Sequence, residues 1–107
     1  KMLSNLISRM SKGLLEYCIL SIIHQSEAYA SDILDTLKEA QLLVVEGTVY
    51  PLLTRMKNEG LLSYRWQEST GGPPRKYYTL TEEGKLLLSQ LDEEWQSICQ
   101  AINQITK

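Results

Sequence analysis

The chain has few of the residues that metal or nucleophilic chemistry needs. Its 107 residues include one histidine, His24, and two cysteines, Cys18 and Cys99, far apart in the sequence. A metal site needs more ligands at tighter spacing. No metal or cofactor is therefore expected, and the thiols read as reduced core residues of a cytosolic protein. There is no run of 18 apolar residues, which excludes a membrane-spanning helix. No apolar leader ending in a small-residue cleavage site is seen near the start, so no signal peptide is expected. No Ser/His/Asp set, carboxylate pair or phosphate-cradling loop is visible, and the chain does not read as an enzyme. A basic excess is also missing. The formal net charge is −2.

The distribution of that charge is more informative than its sum. Residues 1–80 hold nine Lys/Arg against eight Asp/Glu, a net of +1. Residues 81–107 hold two against five, a net of −3. The acidity belongs to the C-terminal tail. Any contact with nucleic acid must be local rather than a grip by the whole surface. The length fits one domain, and the hydrophobic fraction of 43% permits a small core that a partner subunit would help complete.

Periodicity gives the elements. Leu3, Leu6, Ile7 and Met10 recur at helical spacing, as do Leu15, Cys18, Ile19, Ile22 and Ile23. Ser11-Lys12-Gly13 lies between the two runs and predicts either one interrupted helix or two in line. His24 suits the C-terminal end of this segment. Ser26 to Tyr29 reads as a polar turn. Ile33, Leu34, Leu37 and Ala40 define the next helix, capped by Ser31 or a neighbour. Leu42-Leu43-Val44-Val45 reads as a short strand or a core plug. A third helix covers about residues 46–58, with Val49, Leu52, Leu53 and Met56 on its buried face. Its opposite face carries Gly47, Pro51, Thr54 and Asn58, flanked by Thr48, Tyr50 and Arg55. Gly60 supplies the stop.

Two strands follow. Leu62, Tyr64 and Trp66 alternate with polar residues, and Lys76, Tyr78 and Leu80 do the same. Gln67 to Pro74 is the expected hairpin loop, basic on its return side through Arg75 and Lys76, with Arg65 nearby. Thr81 caps a last helix, with Glu82 and Glu83 in its first turn. Gly84 is expected to weaken that turn. Leu88, Leu91, Trp95, Ile98, Ile102 and Ile105 then step by threes and fours, an a/d seam best explained as a dimer contact.

A short helix running straight into a Gly/Pro-tipped basic hairpin is the layout of a winged helix-turn-helix, a reader of double-stranded DNA. The expected fold is mainly α with a small two- or three-stranded antiparallel sheet. Residues 1–80 form the winged helix-turn-helix, and residues 81–107 form a C-terminal dimerisation helix packed on it. The expected DNA contacts are Gly47, Thr48, Tyr50, Thr54, Arg55, Arg75 and Lys76. Thr48 and Tyr50 suit phosphates, and Thr54 and Arg55 suit base edges. Arg75 and Lys76 suit phosphates or a minor groove. Glu46 serves the helix dipole but repels phosphate if it faces DNA. Trp95 is either an interface anchor or, with Tyr17, a flat wall of a ligand pocket between subunits.

The segments Gly47-Thr48-Val49-Tyr50-Pro51-Leu52-Leu53, Arg55 to Leu61, Gly71 to Tyr78 and Leu80 to Gly84 together resemble the PadR family of bacterial transcriptional regulators. The resemblance spans roughly residues 12–105 and is closest to the compact branch, with one C-terminal helix. It implies a cytoplasmic homodimer on a pseudo-palindromic operator, commonly a repressor, often released by small aromatic compounds. The competing readings are a winged-helix dimer used for protein–protein interaction, or a small-molecule sensor, in either case without DNA readout.

Overall fold

A computed structural model of the chain describes residues 1–42 and 46–107. Leu43, Val44 and Val45, part of the expected strand or plug, lie outside the described residues, as does the side chain of Glu46. The elements run α1 (Met2–Gln25), α2 (Ala30–Glu39), α3 (Glu46–Asn58), β1 (Leu62–Ser69), β2 (Gly72–Leu80) and α4 (Glu82–Thr106).

α1 is one helix of 24 residues, without a break at Gly13. A glycine costs only about 1 kcal/mol in a helix interior. The burial of Leu15, Ile19, Leu20 and Ile23 in the core outweighs it. A Cβ at Gly13 would meet nothing within 4 Å. Gly13→Ala is therefore expected to stabilise the protein by about 0.5–1 kcal/mol, read as a higher urea midpoint at an unchanged slope. Apart from Ser11, the buried residues of α1 lie in its second half. Met2, Leu3, Leu6, Ile7 and Met10 are exposed.

Ala28 is tied to the sheet before α2 begins. Its N–H donates to the Tyr78 carbonyl at 3.2 Å, and the Tyr78 N–H donates back at 2.8 Å. This single bridge is all there is of a third strand among the described residues. Tyr29, not Ser31, is the residue before the first turn of α2. Its N–H donates to the Asp32 carboxylate at 3.0 Å. Ile33, Leu34 and Leu37 are buried as the spacing requires, whereas Ala40 is exposed past the helix end.

α3 buries Val49, Leu52, Leu53 and Met56, the predicted stripe. It stops at Gly60, whose φ of +82° suits a residue without a side chain. The Leu61 N–H then reaches back to the Met56 carbonyl at 3.0 Å, closing the helix end. β1 and β2 pair antiparallel, Leu62 against Leu80 and Trp66 against Lys76. The ladder runs further out than expected. The turn is only Thr70-Gly71, between the pair Ser69 and Gly72. Pro73 and Pro74 lie inside β2 between the pairs Gln67–Arg75 and Ser69–Gly72, at the irregularity of the ladder, where a proline is tolerated. The register slips once, between Gln67 and Ser69.

α4 is capped by Thr81, whose hydroxyl oxygen accepts from the Gly84 N–H at 3.0 Å. The same hydroxyl donates to the Gly60 carbonyl at 2.6 Å. The start of α4 is thus pinned to the end of α3. Gly84 does not weaken this turn but makes it possible, because a Cβ there would collide with the Leu61 backbone carbonyl.

Candidate nucleic-acid interface

The face of α3 away from the core is presented as the spacing predicts. Gly47, Tyr50, Pro51 and Thr54 are exposed, and Thr48 is half-buried. The Thr54 hydroxyl donates to the Tyr50 carbonyl one turn back at 3.2 Å. Its lone pairs remain open to solvent. Arg55 is held differently from the expectation of a free base-reading side chain. It forms an ion pair with Glu16 of α1. A Glu59 carboxylate oxygen lies 4.0 Å from its Nε. Beside this pair a cleft of about 360 Å³ opens between α1 and α3, bordered by Lys12, Glu16, Thr48 and Arg55.

The wing supplies the cations without acidic partners. Arg75 stacks over the Tyr29 ring at 4.0 Å and donates to the Ser31 hydroxyl at 3.3 Å. Lys76 lies over the Tyr64 ring at 4.6 Å and the Trp66 ring at 5.7 Å. Among the described residues neither forms an ion pair. Arg65 does. Its guanidinium donates to Glu27 at 2.7 Å and lies 4.7 Å over the Tyr77 ring. The Glu27 carboxylate raises its already high pKa further. The charge that Arg65 was expected to add to the wing is thus neutralised.

Part of this set, without Gly47, Thr48, Arg55 or Arg65, borders one trough of about 400 Å³ between the start of α2, the face of α3 and the wing. Tyr50, Thr54, Arg75 and Lys76, all named from the sequence, border it. So do Tyr29, Ser31 and Trp66, which were not expected among the DNA contacts. Trp66 is 62% exposed, although strand alternation puts it on the inward side. The hairpin projects beyond the core, so its inner face has nothing to cover at that distance. The signal was present in the length of the alternating run, which exceeds what a core this small can bury.

The seam splits into two parts. Leu88 is only 5% exposed and belongs to the chain's own core. Leu91 is half-buried against the same cluster. Contrary to expectation, Leu88 is not a surface contact: it is buried in the core cluster that also holds Leu15, Ile19, Leu20 and Ile23 of α1. Trp95, Ile98, Ile102 and Ile105 are exposed. Tyr17 and Trp95 do come together, with ring centroids 6.3 Å apart and planes inclined at 42°. The Tyr17 hydroxyl donates to Asp92 at 2.5 Å. That hydrogen bond, helped by burial and by the carboxylate charge, pushes the phenol pKa up to about 12. The bond is intact below pH 10, the ordinary tyrosine pKa, and is lost as pH rises through the raised value. Burial also pushes the Cys18 thiol pKa up, which keeps it protonated and unreactive.

The PadR-like family of transcriptional regulators matches residues 19–90. A PadR-like transcription factor from Bacteroides fragilis is 57% identical over 95% of this chain and 99% of its own, with a TM-score of 0.79. A PadR-like transcriptional regulator from Bacillus cereus is 38% identical over 94% and 98%, with a TM-score of 0.81. PadR of Bacillus subtilis, solved in complex with operator DNA, is 30% identical over 73% of this chain and 45% of its own, with a TM-score of 0.68. Both the helix-and-wing geometry and these likenesses lead to one assignment: the chain belongs to the PadR-like family of transcriptional regulators.

Proposed function

We propose that the protein is a cytoplasmic homodimer that binds a pseudo-palindromic operator and represses transcription, with no catalytic activity of its own. The observation that carries this is the trough. Two wing cations without acidic partners among the described residues, Arg75 and Lys76, stand beside the exposed face of α3. The relative bound to operator DNA shares that fold. In this reading α3 enters the major groove. Gly47 lets the backbone come close, Thr48 and Tyr50 bond phosphates, and Thr54 reads a base edge. Arg75 and Lys76 track the neighbouring backbone or minor groove.

Dimerisation is supported by the apolar rows left uncovered on two helices, Leu3, Leu6, Ile7 and Met10 on α1 and Trp95, Ile98, Ile102 and Ile105 on α4. Residues 81–107 then act as the dimerising arm that sets the spacing of two reading helices at about 34–36 Å, one turn of duplex. A planar aromatic effector would sit against Trp95 and Tyr17 and change that spacing. Selection of bound sequences from random duplex DNA tests the reading. The expected result is an inverted repeat whose affinity falls steeply with salt. Recovery of no enriched sequence, or binding indifferent to salt, would overturn it.

A further inference from the structure

Arg55 is the one basic residue of the reading helix that is held by a different helix. Its partner is Glu16, on α1. Both side chains are about half exposed, so the pair is open to exchange with solvent ions. Glu59, also acidic, lies beside it, but follows directly on α3 and moves with Arg55. Glu16 does not. It sits on the helix whose first half carries the uncovered apolar row. Its neighbour in the sequence, Tyr17, bonds Asp92 and packs near Trp95 on α4.

We infer that Glu16 is an electrostatic brake on DNA binding: its carboxylate competes with DNA for the Arg55 guanidinium. The inference rests on the proposed DNA binding. A duplex that takes Arg55 must first draw it from Glu16, and the carboxylate it leaves behind then faces a polyanion. The brake is also placed to be adjusted. Consecutive residues of one helical turn touch the reading helix on one side and the seam helix on the other. A shift of α1 against α4 changes how firmly Glu16 holds Arg55, without any ligand reaching α3.

The test is a double-mutant cycle on duplex binding, using the selected operator at several salt concentrations. Glu16→Gln keeps the side-chain shape and removes the charge. It is expected to tighten binding by about two- to fivefold per protomer, the range of exposed ion pairs. The gain should be largest at low salt and fade as salt rises. In the Arg55→Gln background the same change is expected to give no gain. Unchanged affinity for Glu16→Gln would overturn the inference. So would an equal gain in the Arg55→Gln background, which would mark a general charge effect. Failure of the wild-type protein to bind any duplex is a different result and sinks the DNA reading itself.

Discussion

Arg75→Ala is expected to weaken operator binding by roughly thirtyfold, with folding intact. The guanidinium is exposed and has no acidic partner among the described residues, so a DNA phosphate can take it at the cost only of the contact with Tyr29 and the Ser31 hydroxyl. A charge-assisted contact at an exposed site is worth on the order of 1 kcal/mol. A dimer loses two of them, about 2 kcal/mol, which is the stated factor. The slope of log affinity against log salt should become shallower by about two, one phosphate contact per protomer. Arg65→Ala is the matched control. Its charge is already spent on Glu27, so its affinity should stay close to wild type. If Arg75→Ala binds as well as wild type, or if both variants weaken alike, the wing does not hold DNA as described.

Gly84→Ala is expected to cost about 3 kcal/mol of stability, at the upper end of overpacking. The added methyl would run into the Leu61 carbonyl oxygen and lie 3.2 Å from its carbon. That carbonyl cannot yield freely. It already accepts from the Thr81 N–H at 3.1 Å, and the Thr81 hydroxyl lies at the same distance. Moving it uncaps α4 and loosens the end of α3 together. The stability of a chain this size is on the order of 5–10 kcal/mol, so the loss would lower the midpoint of thermal unfolding by more than 10 °C. A melting curve superimposable on wild type would show that α4 can back away from Leu61 at no cost.

The helices were legible because each stripe repeats at helical spacing. Val49, Leu52, Leu53 and Met56 identify α3 and its buried face without any neighbour being known. The contacts between elements were not legible. Nothing local to Glu16 or Arg55 says that they meet, since 39 residues separate them. Arg65 looked like Arg75 in the sequence, and only the position of Glu27 separates a neutralised cation from an available one. Glycine was misread twice in the same way. Propensity counts Gly13 and Gly84 as weak points, but the cost at Gly13 is too small to break a long helix whose second half is buried, and Gly84 is required by a backbone three residues past another helix's end. Leu88 kept the seam's period while serving a different surface, because a periodic row does not say where one partner ends and the next begins. Trp66 followed the alternation to a place where the interior had already run out.

The hairpin has the mechanics of a cantilever. Its root is clamped by the two hydrogen bonds between Ala28 and Tyr78, and its free arm extends past the register slip at Gln67 to the tip at Gly71. Arg75 is a diagonal strut, running from that arm to Tyr29 and Ser31 at the start of α2. A phosphate that captures Arg75 removes the strut as it makes the contact. In the proposed complex the arm would then be free to flex about a fixed root and follow the local width of the groove, so that gripping the duplex would also unlock the wing.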